Sequence, residues 1–165
     1  MSGGAPGSAE QDDGAPLVPA YVERRENCPR YVFSGGVWIV LADSARTAGH
    51  IANLESIYER GRGLPRRVHH REAEMAYVIS GRLRVCIGDE PETTAEPGAM
   101  VFIPAGVTRT LTADADGTRV YHGFVPAGVE RMIVEHGTTT EEMIVQSEGA
   151  PIDAVIAASY GVSLS

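Results

Sequence analysis

The chain has 165 residues and a formal net charge of −8 at neutral pH, and all its cationic residues are arginine. A single domain of this length buries a sizeable core. The acidic balance argues against nucleic acid or an anionic membrane surface as a partner, since either favours a basic face, and the missing lysine excludes Schiff-base and P-loop chemistry.

Met1 to about Pro19 is rich in Gly, Ala, Ser, Pro and acid. It cannot bury enough apolar surface to offset its ordering entropy, so residues 1–19 read as a disordered arm and 20–165 as one domain. The arm has neither the basic start nor the apolar core of a secretory signal, no apolar run has the length to span a bilayer, and Cys28 and Cys86 form no CxxC motif. A reducing, cytoplasmic location is therefore expected. Tyr21 to Tyr31 is charged, broken by Pro29, and reads as an irregular segment.

VWIVLA (37–42) is a β-branched and aromatic run bounded by Gly35-Gly36, and HIANLESIY (50–58) is the next strand, followed by a loop over ERGRGLP. Strands follow around Arg67 to Arg71 and from Ala73 to Ser80, and Gly81 turns the chain into RLRVCIG, whose alternation suits a half-buried strand. After the polar turn region DEPETTAEPG come three more strands, MVFIP, TRTLTA and TRVYHGFVP, with PAG and DADG between them. PAGVERMIVEHG then changes period. Val129, Met132 and Ile133 share a helical face, with proline before it and Gly137 after it. PIDAVIAASYG reads as a closing helix with Pro151 in its first turn and Gly161 just past its end. Many short strands with Gly/Pro turns indicate an antiparallel sandwich or small barrel, an all-β fold with short C-terminal helices.

Two stretches hold polar residues inside apolar strands: GLPRRVHHREAEMAYVISG (63–81) and GAMVFIPAGVTRTLTA (98–113). They resemble the paired motifs of the cupin superfamily, roughly G-x5-H-x-H-x3-4-E-x6-G and G-x5-P-x-G-x2-H-x3-N. Glu74 and Gly81 fit the end of the first motif with His70 as its second histidine, and Gly98, Pro104 and Gly106 fit the second. Trp38, the PAGVERM segment and the closing ASYG resemble small single-domain, quercetin-dioxygenase-like cupins. The likeness implies a double-stranded β-helix, or jelly-roll barrel, a small-molecule substrate and a homodimer. It also implies a site for Fe, Mn, Ni or Zn. In this register the first histidine falls on Val68, the third on Arg109 and the asparagine on Ala113, which leaves only His70 and Glu74 of four ligands. Valine and arginine offer a metal no lone pair, so no metal cofactor is expected.

Side chains alternate along a strand, so an inward His70 brings Val68 inward and turns His69 out; a role for His69 would need a bulge or a one-residue slip. Arg109 would enter the barrel where a ligand should approach. It would there pair with Glu74, or grip a substrate carboxylate or enolate. His122 shares a strand face with Val120 and Phe124 and would line the pocket, while an inward Ala76 would leave room beside Glu74. His70, Glu74 and Arg109 are thus the candidate catalytic residues, with Val68, Ala76, Arg109 and His122 as substrate contacts. The leading expectation is a metal-independent enzyme that moves protons on a small carbonyl- or polyketide-like metabolite, by isomerisation, cyclisation or elimination. Two alternatives stand beside it: a dioxygenase with the ligand set His70, Glu74 and His122, and a binding protein without turnover.

Overall fold

In the computed structural model, residues 18–139 and 152–165 are described, so most of the N-terminal arm and Pro151 lie outside the described residues. The strands are β1 (Arg30–Phe33), β2 (Gly36–Ala42), β3 (Ala52–Tyr58), β4 (Gly63–His69), β5 (Ala73–Ser80), β6 (Leu83–Ile87), β7 (Thr93–Ala95), β8 (Met100–Ile103), β9 (Thr108–Ala113), β10 (Thr118–Val125), β11 (Thr138–Thr139) and β12 (Val162–Leu164). Two short helices, α1 (Glu130–His136) and α2 (Ala154–Ser159), lie near the C-terminus. The strands form two antiparallel sheets, of order β11-β1-β2-β3-β10-β5-β8 and β12-β4-β9-β6-β7. Face to face, the sheets close into a jelly-roll barrel.

The period-two pattern decides what faces inward. On β9, Arg109, Leu111 and Ala113 are buried while Thr108, Thr110 and Thr112 are half-buried. Along β10 the inward order Val120, His122, Phe124 passes from one apolar cluster, with Val78, Leu83 and Leu111, to a second, with Trp38, Leu54, Tyr58 and Met132. The polar residues of the barrel sit between these clusters. Burial of the two clusters drives closure of the barrel, and the Trp38 indole N–H finds its acceptor in the Phe33 carbonyl at 3.2 Å.

Several segments depart from the sequence reading. The stretch before Tyr31 holds a short 3-10 turn (Arg25–Asn27) and the start of β1. Arg25 forks onto Glu55 with two contacts of 2.8 Å, and Arg119 adds a third at 2.9 Å, which ties the turn to the outer face of β3. The polar region after β6 contains β7, because its paired threonines suit a strand and bond back to β6. The ERGRGLP segment is only partly loop: β4 begins at Gly63, where a Cβ would lie 2.1 Å from the Leu111 carbonyl oxygen, so the two backbones meet closer than any other residue allows. After α2, capped by Asp153 through the Val155 and Ile156 amides, the chain adds β12 against β4.

One irregularity governs the site. Leu64 faces Leu111 on β9, yet Arg67 faces Arg109, so Pro65 and Arg66 together oppose Thr110. This is a β-bulge, and proline, which has no N–H to give the ladder, suits it. Beyond the bulge the inward parity is reversed.

Candidate functional site

The reversal brings Arg67 and His69 into the barrel and turns Val68 and His70 out. Arg67 and His69 are buried; Val68 is half-buried on the outer face, and His70 is exposed, with its Nε2 2.7 Å from Ser163 Oγ on β12. The expectation that His70 and Val68 face the interior is therefore corrected, as is the one that sends His69 outward. The ligand set His70, Glu74 and His122 cannot meet, because the sheet stands between its first member and the other two. His70→Ala is expected to change unfolding stability by about 1 kcal/mol or less, measured by urea denaturation, since it removes one exposed hydrogen bond.

Inside, the chain gathers Arg67 and His69 from β4, Glu74 from β5, Arg109 from β9 and His122 from β10, each no more than 2% exposed. Glu74 is the hub. Arg67 Nη2 donates to both its oxygens at 3.3 and 3.1 Å, and His122 Nδ1 lies 3.1 Å from Oε1. Arg109 Nε stands 3.3 Å from Oε2 as an ion pair, its N–H not aligned for a hydrogen bond. The other ring nitrogen of His122 meets Ser56 Oγ at 2.9 Å, so Ser56, His122 and Glu74 form a buried chain. Arg67 Nε–H donates to His69 Nε2 at 3.1 Å, which leaves the His69 proton on Nδ1. Around this cluster lie Trp38, whose ring centroid is 5.1 Å from that of His122, and Phe124, stacked on His122 at 6.0 Å. Ala76 is fully buried opposite His122, as the strand period requires.

Burial pushes the Glu74 carboxyl up, but Arg67 and His122 outweigh it and hold the group well below the usual carboxylate range. Burial, reinforced by Arg67 and Arg109 and opposed by Glu74, pulls the His69 imidazole down to about 3. Arg109 is lowered to about 10, chiefly by burial, and remains a cation at neutral pH. Two guanidiniums thus face one carboxylate.

This donor set does not fit the family's metals. Two of the side chains in the chamber are permanent cations, both Glu74 oxygens and both His122 nitrogens are engaged, and no group of three His, Cys, Asp or Glu converges among the described residues.

Sequence reasoning missed Arg67 and Ser56, and sent His69 outward while naming the bulge that would bring it in. The variable spacer of the first motif held the signal: read with four residues between the second histidine and the glutamate, it places Arg67 and His69 at the two histidine positions. It also missed Glu72, which is fully buried after β4 with neither carboxylate oxygen hydrogen-bonded among the described residues. Burial raises the Glu72 pKa, against the pull of Arg71 and, more weakly, Arg109. A raised carboxyl pKa gives stability that is complete below the unfolded value and lost as pH rises through the folded one. Glu72→Gln is therefore expected to be more stable than the unaltered protein at pH 7 and little different at pH 4, read from urea midpoints at the two pH values.

A closed antiparallel double-stranded β-helix, with its polar cluster drawn chiefly from the two motif stretches and completed by His122 of β10, has the architecture of a cupin. Residues 54–122 match the model of the cupin domain family, and the fold is the cupin fold. Among similar solved structures is KdgF from Halomonas sp., at 18% identity over 65% of this chain and 94% of that one, with a TM-score of 0.56. An RmlC-like cupin from Shewanella frigidimarina shares 17% identity over 66% and 93%, with a TM-score of 0.57. Streptomyces Pac13, a nucleoside dehydratase, shares 16% over 68% and 88%, also at 0.57. At these identities the likeness shows the fold. No curated protein matches the chain in sequence. Among the described residues no helix is long and apolar enough to cross a membrane.

Proposed function

We propose that this cupin is an enzyme that works without a metal and moves protons on a small carbonyl- or polyketide-like metabolite inside the barrel, by isomerisation, cyclisation or elimination. The observation that carries the reading is the pair of buried guanidiniums, Arg67 and Arg109, at positions where the family motif places metal-binding histidines. An enolate or other developing oxyanion needs positive charge and N–H donors held in place in a dry site, and these side chains supply them. His69 takes the place first given to His70: its neutral ring presents Nδ1–H, a donor without a partner, to the chamber. His122, backed by Glu74 and joined to the Ser56 hydroxyl, is the group placed to carry a proton. Elimination has a precedent on this fold in the dehydratase Pac13, a likeness that carries the fold alone.

The test is hydrogen exchange with solvent. Small ketones, keto acids and aromatic polyketide fragments are incubated with the protein in deuterium oxide and followed by proton NMR. Deuterium entering next to the carbonyl, abolished in Arg109→Leu and His122→Gln, supports the reading. Binding without exchange for every compound that binds would overturn it in favour of a carrier. That second reading has its own support, since both nitrogens of His122 and both oxygens of Glu74 are already occupied.

The remaining elements of the reading are a single folded unit from residue 20 onward, a cytoplasmic location, no nucleic acid or membrane partner, and a homodimer. In favour of the last, Tyr77, Ile79, Met100 and Phe102 are exposed on one outer face of β5 and the edge strand β8. Light scattering of Phe102→Glu against the unaltered chain tests it.

A further inference from the structure

We propose that the chamber takes a small organic acid, its carboxylate on Arg109 Nη1 and a neighbouring oxygen on His69 Nδ1. The inference deepens the function proposed above by naming the substrate class, and it rests on that reading only for turnover, not for binding.

Several buried polar groups of the barrel are left without hydrogen-bond partners among the described residues. Buried polar atoms are nearly always hydrogen-bonded, so those that are not point to something missing. In the chamber these are Arg109 Nη1, Arg109 Nε, His69 Nδ1 and the Tyr58 hydroxyl. Arg109 Nε already faces Glu74. The rest share one feature: each has a hydrogen to donate, and what they lack is an acceptor.

Position adds to this. Arg67 and Arg109 are direct cross-strand partners, and His69 lies two residues beyond Arg67 on the same inner face. His69 and Arg109 are thus diagonal neighbours, about 7–8 Å apart in the backbone and within reach of one small ligand. Charge narrows the class further. Among the groups in direct contact two guanidiniums meet one carboxylate, Glu74, which leaves a local excess of one positive charge in a site closed to water. A monoanion balances that excess, a dianionic phosphate overshoots it, and a neutral ketone leaves it uncompensated. Glu72, the other buried acid within electrostatic reach of Arg109, makes no hydrogen bond to either guanidinium. In a 2-oxo acid the carboxylate would lie on Arg109 and the adjacent ketone oxygen on His69 Nδ1–H, which joins binding to the oxyanion site of the proposed reaction.

Trp38 beside His122 is the only tryptophan, so its fluorescence reports occupancy together with the melting temperature. Pyruvate, methyl pyruvate and inorganic phosphate are titrated separately at constant ionic strength. Saturable changes with pyruvate, at an affinity about ten- to a hundredfold above that for the neutral ester, are expected, with a loss of similar size in Arg109→Leu. Equal response to acid and ester overturns the inference, as does tighter binding of phosphate. So does the absence of response to pyruvate and to longer monocarboxylates, which would leave water as the occupant. The acid-to-ester comparison uses the unaltered protein and holds even if Arg109→Leu fails to fold. If monocarboxylates bind but no compound exchanges hydrogen, the enzymatic reading fails and this one stands; if only neutral ketones bind and exchange, the reverse is true.

Discussion

Glu74→Gln is expected to destabilise the barrel by about 3–5 kcal/mol, a fall in melting temperature on the order of 10 °C for a chain of this size. The substitution keeps the shape of the side chain and removes its charge. In the native protein that one carboxylate answers Arg67 through both oxygens, Arg109 at 3.3 Å and His122 at 3.1 Å, all without solvent contact. With the charge gone, two desolvated guanidiniums face each other across paired positions of β4 and β9 with no counter-ion. An amide oxygen can satisfy one N–H, but it cannot offset the field of two cations in a medium of low dielectric.

The companion variant separates pairing from net stability. Replacing Arg67, Glu74 and Arg109 together by Met, Leu and Met removes all three desolvation penalties at once. Exchanging buried ion clusters for apolar residues is often neutral or stabilising, so this triple variant should melt at or above the unaltered protein. Calorimetry on both decides the matter. A Glu74→Gln protein within about 1 kcal/mol of the original would mean that the guanidiniums reach water, and the picture of a dry, charged chamber would fail. If the single variant is crippled and the triple one robust, the cluster is not there to hold the fold together, and its presence is then explained by what it binds.

The two-residue period of RLRVCI, TRTLTA and TRVYHGFV, punctuated by Gly and Pro, made most strands legible. Parity also put His122 inside the barrel, while Arg109 was placed there by the family motif and Ala76 only conditionally; all three are buried, because the strands run regularly through those residues. The same counting failed on β4. Leu64, Arg66, Val68 and His70 share a parity, and a strand without interruption would have sent all four inward. Pro65 and Arg66 opposite the single Thr110 shift the count by one, and a bulge depends on its partner strand, which one strand's own pattern does not reveal. The link between Ser56 and His122 was hidden for a related reason, since the two residues are 66 positions apart and only the pairing of β3 with β10 brings them together. β12 was missed because three residues after a helix carry no period of their own.

The second large effect is on acid stability, and His69 is its source. The unfolded histidine titrates near pH 6.5, whereas in the barrel burial and the two arginines hold the ring neutral down to about 3. Between those values the unfolded chain binds a proton that the folded one refuses, so stability is complete above pH 6.5 and is lost as pH falls. The slope is about 1.4 kcal/mol per pH unit, or roughly 2–3 kcal/mol between pH 6.5 and 4.5 from this one side chain. Glu74 follows the same sign in a lower window: its depressed carboxyl adds stability above the unfolded value of about 4.3 that drains away only in stronger acid. The Glu74 window lies lower, but the raised carboxyl of Glu72 acts in the same interval as the histidine with the opposite sign, so it is the comparison with a variant lacking His69 that isolates the histidine. His69→Gln keeps an acceptor for Arg67 Nε–H while removing the titration. In urea midpoints at pH 7.0, 6.0 and 5.0 the unaltered protein should therefore lose stability relative to His69→Gln as pH falls, by about one proton's worth of slope. Parallel curves for the two proteins would place His69 in contact with solvent, and the reversal of parity at the bulge would then be wrong.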